Sequence, residues 1–172
     1  MKIIIYRIVL AIFAVASLAF ITYNSLQTAE QSAEMSNGVS TIIAEVVVPD
    51  FDKMEEAQKQ EVVTKISIPV REIAHALEFA SFAFFLSLLA FTFPFQYGRY
   101  SIPTVIILLF GFAYALFDEW LQSFVSGRGT QWLDIWVDSI GVVSGILFAL
   151  LVDIIGVRVA ERRCQRRKFR RR

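Results

Sequence analysis

The sequence predicts an all-α integral membrane protein: a bundle of four transmembrane helices, with N- and C-termini cytoplasmic and one longer extracytoplasmic loop. Three observations carry that expectation. Of the 172 residues 56% are hydrophobic and 19% charged, with 16 Phe, whereas a soluble domain is about 45–50% apolar and about a quarter charged. Four apolar runs are long enough to cross a hydrocarbon core of about 30 Å at about 1.5 Å per residue. Basic residues gather where an even number of spans places them on one side of a bilayer.

The first run, about Ile3 to Tyr23, follows Lys2 and is interrupted by Arg7. Ala14-Val-Ala-Ser17 resembles a signal-peptidase site, but roughly 20 apolar residues favour a retained span. Residues 24–70 form the one long polar connection, with eight acids and three lysines. Its first part reads as a flexible linker, Thr41 to Val48 as a candidate strand, and Phe51 to Ile66 as helix-forming. A small cap over the bundle is the expected outcome.

The second span runs from about Arg71 to Phe93, closed by Pro94; the third from about Ser101 to Gln122; the fourth from Trp132 to about Val157. The segments are thus 1–23, 24–70, a three-helix core over 71–157 and a basic tail over 158–172. That tail holds nine Arg or Lys and a single acid, Glu161. Lys2, Arg99 and the tail all fall on the cytoplasmic side of a four-span protein, and Arg7 can snorkel to it. Cys164, the only cysteine, has no partner for an internal disulfide or a thiolate metal site.

Ionisable residues inside apolar segments mark candidate function, because they are costly at membrane depth. Arg71, His75 and Glu78 share one helical stripe at spacing i, i+4, i+7. Asp118 and Gln122 are i, i+4, as are Asp134 and Asp138, while Glu119 lies about 100° off its neighbour's face. Counting back from the inner helix ends puts Glu78 and Asp118 about 26 Å away and Asp138 about 22 Å from Asp153. The polar groups of three helices therefore meet at one depth near the outer boundary. Gly141 and Gly145 form a Gly-x-x-x-Gly pair that permits close helix approach. Trp120, Trp132 and Trp136 read as an interfacial aromatic belt.

Three blocks carry a family resemblance: Arg71-Glu-Ile-Ala-His75-Ala-Leu-Glu78-Phe, Asp118-Glu119-Trp-Leu-Gln122 through Gly127-Arg128, and Asp134-Ile-Trp-Val-Asp138-Ser-Ile-Gly141. Together they resemble the signature of VanZ-like membrane proteins over about Arg71 to Gly145. Glu72, Phe79 and Ser126 stand where that pattern commonly has Lys, Tyr and Pro. The resemblance implies a bacterial multi-pass protein of the cytoplasmic membrane, in a family named for a member linked to teicoplanin resistance. It implies no settled biochemical activity.

The binding set expected from these residues is Arg71, His75, Glu78, Asp118, Glu119, Gln122, Arg128, Asp134 and Asp138. Arg128, between Gly127 and Gly129, is the best anion binder of the set, since guanidinium pairs bidentately with phosphate or carboxylate. Its bland role is an ion pair with Asp118 or Glu119. The leading expectation is an outer-leaflet cleft for the polar head of an amphiphile, such as a polyprenyl-phosphate-linked cell-wall intermediate or a lipoglycopeptide. The rival is an enzyme acting on such a lipid, with His75 as general acid/base and Glu78 or Asp134 orienting it. A third reading is a buried ion-pair network that fixes helix register. No P-loop or Gly-x-Ser-x-Gly elbow is present, and a single His does not suit a phosphohistidine phosphatase. His75, Glu78, Asp134 and Asp138 have metal-compatible spacing of low specificity, so no metal or cofactor is expected. The expected partners are membrane lipids and not nucleic acid.

Overall fold

The computed structural model describes residues 1–94 and 98–169, with side chains through residue 159. Five α-helices follow one another: α1 (Lys2–Ser25), α2 (Ala29–Val47), α3 (Glu56–Phe91), α4 (Ser101–Gln122) and α5 (Trp132–Phe169), with a 3-10 turn at Phe51–Lys53. No strand occurs among the described residues. Four helices, α1, α3, α4 and α5, are long and apolar enough to cross a membrane. Their outward faces expose Ile12, Leu109 and Leu147 at 60–63%, an apolar surface that suits lipid rather than water.

The spans follow their expected limits closely at α1 and α4. The polar connection does not. The stretch read as a linker and a strand folds instead as α2, with a capping box in which Thr28 and Gln31 satisfy each other's backbone. The β-branched residues near its end do not leave the helix, because tertiary packing outweighs a weak strand propensity. Ser40 and Ala44 are fully buried, and Ala44, Phe51 and Val63 form a small core between α2 and α3.

The second span also begins earlier than Arg71. Helix α3 starts at Glu56, behind a Glu55–Gln58 capping box, and runs 36 residues straight through Pro69. Pro69 is tolerated because it and Lys65, the residue whose carbonyl loses its donor, both lie on an exposed stretch. Pairs Lys59–Glu56 (2.9 Å) and Lys65–Glu61 (2.7 Å) add modest support to that exposed half. A helix of 36 residues is about 54 Å long, against about 30 Å of hydrocarbon. Its first turns therefore project from the bundle as a hairpin with α2.

The bundle closes most tightly between α3 and α5. Gly141 faces the backbone carbonyl of Ala76 and Gly145 that of Ala80, so closely that a Cβ at either glycine would collide with the carbonyl oxygen. The Gly-x-x-x-Gly pair thus performs the close approach expected of it. Below this contact a core of Phe79, Phe82, Ala83, Ile107, Val142 and Ile146 joins α3, α4 and α5 to Ile21 of α1. At the end of the bundle where α1 begins, Arg7 donates to the Thr92 hydroxyl (2.9 Å) and carbonyl (2.6 Å) and lies 4.1 Å over the Phe93 ring. Arg99 pairs with Asp153 at 2.9 Å, and the Tyr100 hydroxyl donates to the same carboxylate. Most of the basic tail, Cys164 included, lies outside the described side chains.

Candidate functional site

The opposite end of the bundle assembles the polar residues. Helix α1 ends in Asn24 and Ser25, and these bind the acids of two other helices. Asn24 donates its amide to Glu78 Oε1 (2.7 Å), and the Ser25 hydroxyl donates to Asp118 Oδ1 (2.5 Å). Gln122, one turn along α4, donates to Asp118 Oδ2 (2.8 Å). Glu119 turns toward the loop 123–131 and accepts the backbone N–H of Gln131. Asp118, Glu119, Gln122 and Asp138 are all at most 5% exposed. Glu78, Asp118 and the end of α1 therefore share one level, as the helix arithmetic requires.

The loop 123–131 is held in place from two sides. Gly127 takes a positive φ of 76°, and its Cα lies where a Cβ would come within 3.0 Å of Ala29 Cβ. The Ala29 N–H donates to the Ser126 carbonyl (3.3 Å), so the start of α2 is tied to the loop that carries Arg128. Arg128 is half-buried. Burial first, and the Arg71 guanidinium second, pull it below the ordinary arginine value, against the opposing pull of Asp118, Asp134 and Glu119; it remains charged at any physiological pH.

Two cavities meet at Arg71, His75 and Arg128. One is small and polar, about 70 Å³, and adds Gln122, Gln131 and Asp134 to its lining beside the backbone of Gly127 and Gly129. The other is a cleft of about 380 Å³ walled by Phe20 of α1, Met35 and Val39 of α2, and Val70, Ala74 and Leu77 of α3. A compact charged chamber thus opens into an apolar trough beneath α2. The chamber offers hydrogen-bond donors and the trough a mainly apolar wall.

The partners of these groups differ in two respects from the alternative readings. Arg128 forms no ion pair with Asp118 or Glu119, and none of the ion pairs among the described residues lies in the cluster. Asp118 is instead held by Ser25 and Gln122, and Glu119 by Gln131. Arg128 Nη1 is buried with no hydrogen-bond partner, as are Glu78 Oε2 and Asp138 Oδ1. A buried donor left unsatisfied costs about 1–3 kcal/mol, more when charged.

The expected orientation of His75 by Glu78 or Asp134 is also absent. Among the described residues His75 makes no side-chain hydrogen bond to either, because Glu78, three residues on, turns to Asn24 of α1. Asp134 shares the polar chamber with His75 without bonding it. No three His, Cys, Asp or Glu side chains among the described residues come together in a metal-binding arrangement. Of the nine expected residues, Arg71, His75, Gln122, Arg128 and Asp134 line the polar chamber and Glu78 lines the adjoining cleft. Asp118, Glu119 and Asp138 are buried around them.

Asn24, Ser25 and the apolar wall on α2 did not figure among the expected site residues. Asn24 and Ser25 were detectable as a polar pair terminating an apolar span at the depth of the acids. The α2 wall was not, since its residues lay in a stretch read as unstructured.

The chain matches the VanZ/LLP1 family over residues 8–153. No curated protein and no solved structure matches it. The matched region takes in α1 and α2 as well as the three helices that carry the signature blocks, so the end of α1 and the cleft under α2 fall within it. On this match over most of its length, together with four apolar helices, the chain belongs to the VanZ/LLP1 family and is a VanZ-like multi-pass membrane protein.

Proposed function

We propose that this protein binds an anionic amphiphile at the outer face of the bacterial cytoplasmic membrane, with the head between Arg71 and Arg128 and the tail in the cleft beneath α2. One observation carries the reading. Arg128 presents a buried, unpartnered Nη1 at the junction of a polar chamber and an apolar cleft, beside a second guanidinium. Two like charges in a half-buried site repel each other; the carboxylates Asp118, Asp134 and Glu119 offset part of this without pairing with Arg128, and an anion between the guanidiniums offsets the rest. Cell-wall lipid intermediates and lipoglycopeptides both have the required polarity, which connects the site to a contribution to teicoplanin resistance.

The experiment is native mass spectrometry of the detergent-purified protein, comparing the wild type with Arg128→Gln. An acidic lipid retained by the wild type and lost from a folded Arg128→Gln supports the reading. If the wild type and the variant carry the same lipids, the guanidinium pair is not a ligand site.

A second reading is favoured by the position of His75, which lines both cavities and so stands where head and tail of a bound lipid join. In that reading the protein is an enzyme with His75 as general acid/base. His75→Gln separates the two: a binding protein keeps most of its affinity, and an enzyme keeps its ligand but loses turnover.

A further inference from the structure

We propose that the ligand is a single-chain amphiphile whose head is one phosphate monoester. The inference rests on the amphiphile reading above and narrows it by size and charge. At about 30 Å³ per water in the liquid, the polar chamber of about 70 Å³ has room for roughly two or three water-sized groups. That is the space of one tetrahedral oxyanion. A sugar, a peptide or a second phosphate has to remain outside it.

Charge points the same way. Among the residues that line it, the chamber holds Arg71 and Arg128 against one carboxylate, Asp134, with Gln122 and Gln131 completing the polar lining; Asp118 and Glu119 lie behind that lining and are already held by Ser25, Gln122 and Gln131. A planar carboxylate carries one charge and is satisfied by one guanidinium in bidentate contact. A phosphate monoester carries about −1.5 to −2 at neutral pH and offers three terminal oxygens, enough for both guanidiniums including the unused Nη1 of Arg128. A phosphodiester has lost one of those oxygens and about half that charge.

The trough sets the tail. A methylene occupies about as much volume as a water, so about 380 Å³ accommodates roughly a dozen methylenes at about 30 Å³ each. One chain of that length fills it. Phe20, Met35, Val39 and Leu77 make its apolar wall, and the charged groups that reach it, Arg71, Arg128 and Glu78, stand at the head end.

The test is a titration of the full-length protein in an uncharged maltoside detergent at pH 7.5, read by native mass spectrometry. The probes are dodecyl phosphate, dodecanoate, dodecylphosphocholine and inorganic phosphate. Dodecyl phosphate is expected to bind one per chain and at least about tenfold more tightly than each of the other three, the worth of one additional charge-assisted hydrogen bond. Arg128→Gln is expected to reduce dodecyl phosphate to the level of dodecanoate. Arg128→Lys, which keeps the charge without the fork, is expected to fall between them.

Equal affinity for dodecanoate or dodecylphosphocholine overturns the monoester head while leaving an amphiphile site. Equal affinity for inorganic phosphate overturns the tail and leaves a site for the free anion. Binding of none of the amphiphiles removes the amphiphile reading itself. The head-group series on the wild-type protein decides the matter even if a variant fails to fold.

Discussion

Adding one methyl group to Gly141 or Gly145 tests the tightest contact of the bundle. Each glycine lies against a backbone carbonyl of α3, Ala76 or Ala80, so that a Cβ collides with the oxygen. Backbone cannot rotate out of the way as a side chain can, so the helices must separate. Overpacking of this kind costs about 1–3 kcal/mol per site. For a chain of this size about 1 kcal/mol moves the melting temperature by about 2–4 °C, which gives a fall of roughly 2–12 °C for Gly141→Ala or Gly145→Ala. Gly156 lies on the same helix with nothing within 4 Å of its added Cβ. Gly156→Ala is therefore expected to leave stability unchanged or raise it by about 0.5–1 kcal/mol, the ordinary gain of Ala over Gly in a helix. Thermal unfolding of the three variants in one detergent is the assay. A Gly141→Ala protein as stable as Gly156→Ala would refute the close backbone contact, and with it the level at which α5 presents Asp134 and Asp138 to α3.

Other predictions address the site and its supports. Ser25→Ala removes the 2.5 Å hydrogen bond to Asp118 and leaves a buried acceptor short of a donor. The expected loss is about 1–3 kcal/mol, read by thermal unfolding, whereas Ser25→Thr keeps a hydroxyl and should recover part of it. Val39→Glu places a charge in the apolar trough; because Val39 is 51% exposed, the melting temperature should stay within about 2 °C while the affinity for dodecyl phosphate drops about tenfold or more. Arg7→Ala loses two hydrogen bonds to Thr92 and the stacking on Phe93. It should lower stability by about 1–3 kcal/mol without changing ligand affinity, since Arg7 lies at the far end of the bundle.

The spans were legible because their signal is redundant. Ser101 to Gln122 is apolar over a full membrane thickness, and its ends are marked by turn and charge signals. The depth of the site was legible for a related reason: Glu78 and Asp118 sit at fixed rises from helix ends, and α-helical rise varies little. Residues 24–70 were less legible. A capping box at Thr28 and Gln31 is a weak local signal, and the decisive contacts of Ser40 and Ala44 with α3 are tertiary. The helix-forming composition of Phe51 to Ile66 was legible, but not that it continues through Pro69 into the span from Arg71 as one helix.

Pairing within the site was the least accessible to sequence. Helical spacing shows that Glu78 and His75 share a stripe, but not that Glu78 turns to Asn24 on α1. Nor does it show that Asp118 is held by Ser25 and Gln122, leaving Arg128 without the ion pair of its alternative role. Those outcomes depend on how α1 and the loop 123–131 close over the three-helix core.

The most direct measurement is photo-crosslinking with an alkyl phosphate that carries a diazirine near the middle of its chain, followed by peptide mapping. Labels are expected on Met35 and Val39 of α2 and on Val70 to Leu77 of α3. They should be suppressed by excess dodecyl phosphate and lost with Arg128→Gln. A second apolar groove, lined by Leu18, Leu86, Ile106 and Phe110 between α1, α3 and α4, serves as an internal comparison. Labels confined to that groove, or labels on α2 that persist without Arg128, would contradict a binding site in which the two guanidiniums hold the head and the trough beneath α2 holds the tail.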